Sequence, residues 1–257
     1  MKLKFYKYQG TGNDFIIFDN LDGRLQFTKQ QVADMCHRRF GIGADGLMLL
    51  EKEEGYDFRM VYYNSDGNQS TMCGNGGRCL VKFAHDLKII SAHAHFVAVD
   101  GPHTAHVKDG IVYLEMKNVE DIERPNGHFF LNTGSPHYVE MKSGVKELDV
   151  FELGKSIRYN DRFKKEGTNV NFVELLPSNK ILVRTYERGV EDETYSCGTG
   201  VTASAITASL SGYHSPIDIE TLGGALQVSF DKKESGAFEN VYLIGPALRV
   251  FEGQIEL

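Results

Sequence analysis

Residues 71–80, TMCGNGGRCL, put two cysteines and three glycines into ten positions. Glycine forfeits packing and costs entropy on ordering, so a thiol that only fills a core gains nothing from such neighbours. A thiol that meets a ligand held by backbone amides does. The pattern returns at residues 194–201, TYSCGTGV, where Cys197 lies over Cys73 at a shift of 124. Each cysteine is followed by glycine, a small polar residue and glycine. The segments that follow, RCLVKFAHDL (78–87) and TASAITASL (202–210), are long and apolar enough to be buried helices.

Working outward, the second half keeps echoing the first. RMVYYNSDG (59–67) and ILVRTYERG (181–189) both read as a strand entering a polar turn. At shifts of 122 to 123, TGNDFIIF (11–18) lies over TGSPHYVE (133–140), and GLMLLE (46–51) over NVNFVE (169–174). The helical stretch TKQQVADMCHR (28–38) has a counterpart in DVFELGKSIRY (149–159). HTAHVKDGIVYLEM (103–116) predicts a hairpin turning at Asp109-Gly110, and VNFVELLPSNKILVRTY (170–186) another turning at PSNK.

The common order predicts an α+β chain of two pseudo-symmetric domains. Each is a curved, mostly antiparallel sheet wrapped around a central helix, and the two face each other across a cleft. The N-terminal half, 1–117, carries Cys73 and is joined by the C-terminal strand 247–257; the C-terminal half, 118–246, carries Cys197; the junction is KNVEDIERPNG (117–127).

Composition narrows the function. The net charge of −7 argues against a nucleic-acid surface. The opening MKLKFYKYQG lacks a continuous apolar core, so it is not read as a signal peptide. No apolar run approaches the roughly 20 residues that span a bilayer. Four cysteines and no secretory signal point to a reducing cytoplasm. Their spacing supplies no metal shell, because Cys73 and Cys79 are six apart and no C-x-x-C completes the set. Cys36 and Cys79 sit inside apolar helical patterns and read as buried small hydrophobes.

Cys73 and Cys197 read differently. A helix N-terminus lowers a thiol's pKa, and its amides form a socket for a carboxylate. Two such thiols on opposite sides of one carbon suit removal of a proton from one face and delivery to the other.

GTGNDFIIFDN, GIGADGL, YYNSDGNQSTMCGNGGRC, TGSPHYV, TNVNF and ERGVEDETYSCGTG, in order from residue 10 to about 205, resemble the diaminopimelate epimerase family. The resemblance implies a homodimer that interconverts LL- and meso-diaminopimelate in lysine and peptidoglycan precursor synthesis, without pyridoxal phosphate or metal. Carried over by position, Cys73 and Cys197 match the catalytic pair, the first donating and the second accepting a proton in the LL-to-meso direction. Gly74 with Asn75, and Gly198 with Thr199, match groups that hold the reacting carboxylate. Asn13, Asn64, Asn169 and Arg188 match groups that grip the far amino-acid end. Glu187 matches a substrate contact and, with His137, a group that tunes the thiols. Gly46 stands where some relatives have glutamine, and Ser135 where many have asparagine.

Three other readings compete. A proline racemase or hydroxyproline epimerase shares the fold and the paired cysteines, but Glu187-Arg188 and the asparagines favour a substrate with a second amino-acid head. A phenazine-biosynthesis-type isomerase shares the fold without the two cysteines. A thiol redox protein would need its sulfurs to reach bonding distance, and no C-x-x-C supports that.

Overall fold

The computed structural model describes residues 2–125 and 127–256. The chain divides into two compact units, one running to Leu114 and resuming at Pro246, the other Glu115–Gly245. Within the junction stretch 117–127, Asn126 lies outside the described residues.

In the first unit β1 (Lys2–Gly10) pairs antiparallel with β2 (Asn13–Asn20). Helix α1 (Lys29–Cys36) then carries the chain to β3 (Gly46–Glu51), which lies parallel to β2 with Phe15 opposite Gly46. A Thr28–Gln31 capping box starts α1 by satisfying two of its orphan amides. β4 (Phe58–Asn64) returns antiparallel to β3. Helix α2 (Gly74–Asp86) crosses to β5 (His93–Ala98), parallel to β4. β6 (Gly101–Lys108) and β7 (Ile111–Glu115) close a hairpin at Asp109 and Gly110, whose φ angles of 52° and 78° are those of a primed turn.

The second unit repeats the pairing order after a short strand, β8 (Ile122–Glu123). β9 (Phe129–Asn132) is antiparallel to β10 (Pro136–Met141), and α3 (Val150–Arg158) carries the chain to β11 (Asn169–Leu176), parallel to β10. β12 (Lys180–Glu187) returns antiparallel, with β13 (Asp192–Thr194) on its flank. Helix α4 (Gly198–Ser209) crosses to β14 (Ile217–Thr221), parallel to β12, and β15 (Gly224–Lys232) and β16 (Phe238–Pro246) follow antiparallel. The final strand, β17 (Leu248–Glu256), pairs antiparallel with β1 of the first unit.

Each unit is therefore a mostly antiparallel sheet with two parallel steps, each made by a helix that gives the chain its crossover. The second helix of each unit is its centre. α2 packs on β1, β2, β3, β6 and β17, burying Cys79, Leu80, Val81, Phe83 and Ala84. α4 packs on β9, β10, β11, β12, β14 and β15 and is buried from Val201 to Ala208. Its hydroxyls tolerate that burial because they bond back along the helix: Thr202 to the Gly198 carbonyl, Ser204 to Gly200 and Thr207 to Ala203, at 2.7 to 3.0 Å.

Candidate active site

Cys73 is the N-cap residue of α2 and Cys197 that of α4, both in extended backbone conformation. The first intrahelical bonds run from Gly77 N–H to the Cys73 carbonyl (2.7 Å) and from Val201 N–H to Cys197 (2.9 Å). The amides of the turn before them project from the helix end instead of bonding along it, which is the geometry that takes an anion. The two helix starts differ in how much room they leave for a side chain. A Cβ at Gly76 would touch Met48 Sδ and the Phe15 ring at 3.4 Å, and one at Gly200 would collide with Asn171 Oδ1 and meet Cys197 Sγ at 3.4 Å.

In the first unit Asn13, Cys73, Gly74 and Asn75 come together. Cys73 Sγ lies 3.7 Å from Asn13 Oδ1, which also accepts from Asn75 Nδ2 at 3.4 Å. Asn13 Nδ2 donates to Asp45 Oδ2 at 2.7 Å, so the carboxylate turns the amide oxygen toward the thiol. Asp45 in turn holds Arg38, which also reaches Asp14, and Lys7 completes the cluster on Asp14. Burial alone would raise Asp14, but hydrogen bonds from Arg38 and Lys7 bring its carboxyl down to about 2. Asn64 ends β4 opposite Gly46 with an exposed side chain. At Gly46 the Tyr62 ring (2.6 Å) and the Tyr63 carbonyl (2.7 Å) fill the space a side chain would take.

In the second unit Ser135, Asn169 and Arg188 form one chain of contacts. Asn169 Nδ2 donates to Ser135 Oγ at 2.9 Å, and its Oδ1 accepts from the Arg188 backbone N–H at 2.8 Å. The exposed Arg188 guanidinium donates to the Glu166 carbonyl at 3.0 Å. Glu187 accepts from Thr194 Oγ1 at 3.0 Å. Thr199 stands beside the thiol, its Oγ1 3.5 Å from Cys197 Sγ, and its carbonyl accepts from Thr133.

His137 is fully buried. Burial, aided by the Arg188 charge, pushes its imidazole down to about 3, so it is neutral at pH 7. Its tautomer is set by Asn171. That amide donates to the Tyr138 carbonyl (2.9 Å) and accepts from Thr185 Oγ1 (2.9 Å), so the Nδ2 that meets His137 Nδ1 at 3.0 Å is a donor. His137 therefore accepts at Nδ1 and carries its proton at Nε2. The other two cysteines are of a different kind: burial pushes the Cys36 and Cys79 thiols up to about 12, leaving them protonated.

The sequence alone does not single out Asp45, Asn171, Thr185 or Arg78. Asp45 and Asn171 sit inside GIGADGL and TNVNF, but nothing in a linear motif says which side chain will lie under a helix end. Among the described residues no group of three or more His, Cys, Asp or Glu side chains is arranged to hold a metal ion.

Comparison with known proteins gives a family. The family model for diaminopimelate epimerase matches residues 5–124 and 129–250. The diaminopimelate epimerase of Flavobacterium psychrophilum is 53% identical, covering 98% of this chain and 100% of its own. Among solved structures, a PhzF-family phenazine biosynthesis protein from Bacillus anthracis superposes with a TM-score of 0.77 at 13% identity, covering 100% of both chains. A hydroxyproline epimerase from Agrobacterium vitis gives 0.68 at 13% identity, covering 100% of this chain and 93% of its own. At such identities these two share the fold alone. The repeated cysteine-capped helices and the full-length match together make the chain a member of the diaminopimelate epimerase family.

Proposed function

We propose that the chain is an isomerase that interconverts LL- and meso-diaminopimelate by removing a proton with one thiol and delivering another from a second. The observation that carries this reading is the pair of cysteines capping two equivalent buried helices, in a chain 53% identical over its length to a diaminopimelate epimerase. In the LL-to-meso direction the Cys197 thiolate takes the α-proton: the C–H bond breaks, an S–H bond forms, and the electron pair spreads into the adjacent carboxylate. The Cys73 thiol delivers its proton to the opposite face, and the pair exchanges protonation states. The reverse reaction uses the same groups in exchanged roles.

The projecting amides around Gly74, Asn75, Gly198 and Thr199 suit the charge that develops on the carboxylate, where fixed dipoles act without reorganising. Asn13, Asn64, Asn169, Glu187 and Arg188 provide the donors, acceptors and charges that a second amino-acid head requires. A proline-type substrate lacks that head and would leave them unmatched. Acid, base and socket all come from the chain, so the proposal requires neither metal nor pyridoxal phosphate. The reading also makes the protein a cytoplasmic homodimer acting on a small molecule. Among the described residues no helix is long and apolar enough to cross a membrane.

The test is a coupled assay of purified protein, exhaustively chelated and given no cofactor, with LL-diaminopimelate. Formation of the meso isomer is expected. Inactivity on diaminopimelate with turnover of proline or hydroxyproline would overturn the reading.

A further inference from the structure

Arg78 lies in the second turn of α2 with none of its surface exposed. Its Nη1 donates to the Gly74 carbonyl at 3.3 Å, and its Nη2 donates to Asn75 Oδ1 at 3.1 Å and to Thr11 Oγ1 at 3.2 Å. Every acceptor is neutral, and among the described residues no carboxylate pairs with it. A buried guanidinium without a counter-ion is costly, and arginine stays protonated at any working pH.

The other charges on elements packed against α2 are exposed or have partners of their own. Lys7 and Arg38 are matched by Asp14 and Asp45, Lys82 by Asp86, and Arg249 by Glu252. Tyr8 OH donates to Asp86. Asp100 is held by His103 and by the Met72 N–H. The second thiol near Arg78, Cys79, is buried and stays protonated. That leaves Cys73 as the group whose ionised form would balance the buried cation.

The hydrogen bonds give the charge a route. A guanidinium only donates, so Arg78 turns Asn75 Oδ1 inward and its Nδ2 out to Asn13 Oδ1, the atom that also meets Cys73 Sγ. The other repeat has no such charge. At the matching position in α4, Thr202 makes the equivalent bond to the Gly198 carbonyl with a neutral hydroxyl.

We propose that Arg78 is a positioning and charge-balancing residue for Cys73: it orients Asn75 and stabilises the thiolate left on Cys73 after it gives up its proton. Burial depresses the guanidinium, and interaction with Cys79 and Cys73 opposes that depression, as a mutual stabilisation of cation and thiolate requires.

This inference rests on the proposed role of Cys73, but its test needs no substrate. Iodoacetamide alkylation of Cys73 and Cys197 is followed separately by peptide mass spectrometry across pH. In the native protein the Cys73 inflection is expected below the ordinary thiol value of about 8.5. Arg78→Met should raise it by about one pH unit, a roughly tenfold loss of thiolate on the acid side, and leave the Cys197 inflection in place. Arg78→Lys, which keeps the charge, should restore most of the shift. An unmoved Cys73 inflection in Arg78→Met, or equal inflections in the Lys and Met variants, would overturn the proposal. Should neither variant fold, a native Cys73 inflection at or above 8.5 does so by itself. Inactivity on diaminopimelate would leave these alkylation results standing.

Discussion

The first turns of α2 and α4 share a backbone and differ in what lies beneath it. Under Gly76 the floor is apolar, with Phe15 and Met48 within reach of an added Cβ, and two residues along the helix Arg78 supplies a buried positive charge. Under Gly200 the floor is polar: His137 and Asn171 occupy the positions that match Phe15 and Met48, and Thr202 replaces the arginine. The repeat has kept what makes an amide socket, which is main chain and glycine. It has diverged in what lies beneath each helix start: apolar side chains and a buried cation in one repeat, and in the other an asparagine bonded to a neutral, tautomer-locked imidazole. A pair of proton carriers that exchange roles needs matched placement. Matched surroundings are a separate matter, and the two helix starts of this chain do not share them.

The largest effect that would break the comparison is loss of either thiol. Serine is a far weaker acid than cysteine, so Cys73→Ser and Cys197→Ser should each lower epimerisation by at least about 100-fold, measured with diaminopimelate under saturating conditions. With analogues carrying a leaving group on the β-carbon, elimination needs one base only. Each variant should keep it for one configuration and lose it for the other, with opposite preferences. Cys36→Ser should not behave this way, because its thiol lies in an apolar cluster with Val32, Met35 and Leu47.

Next in size is the response of the two floors to one methyl group. Gly200→Ala drives a Cβ into Asn171 Oδ1 and should cost about 1–3 kcal/mol in urea unfolding, with a loss of rate as the Asn171–His137 contact shifts. Gly76→Ala meets only ordinary contacts at 3.4 Å and should be neutral or stabilising by up to about 1 kcal/mol. Equal costs at the two positions would show that the floors are not distinct.

A smaller effect follows from His137. Its folded pKa of about 3 lies below the ordinary value of 6.5, so the unfolded chain binds an extra proton between them. The stability that the neutral form contributes is fully present above pH 6.5 and is lost as pH falls toward 3, at up to about 1.4 kcal/mol per pH unit. Replacing it with the residue of the other repeat, His137→Phe, should remove that slope in urea unfolding between pH 4.5 and 6. Asp14, with its carboxyl at about 2, loses its contribution only below its ordinary value of 3.8, so it does not mask the window.

The sequence makes some of this legible and hides the rest for physical reasons. Periodicity and turn residues reveal the repeat, the cysteines at helix starts and the hairpin at Asp109-Gly110, because each is encoded within a few neighbouring residues. The parallel pairings of β2 with β3 and of β10 with β11 are not visible, since strand direction is decided by the helix between them. Motif positions point to Asn13, Cys73 and Asn75, and the structure brings these three into contact. Arg78 escapes notice because an arginine in a helical run reads as solvated until the packing around it is known. Asn171 escapes because its partners, His137 and Thr185, lie 34 and 14 residues away along the chain.

The central claim is that two thiols work from opposite faces of one carbon, and early isotope incorporation in deuterated water tests it most directly. Starting from LL-diaminopimelate, solvent deuterium should appear in newly formed meso product while recovered starting isomer stays nearly unlabelled at early times, because the group that returns the proton is not the one that removed it. Equal early labelling of both isomers would mean that a single base serves both faces, and would contradict the account.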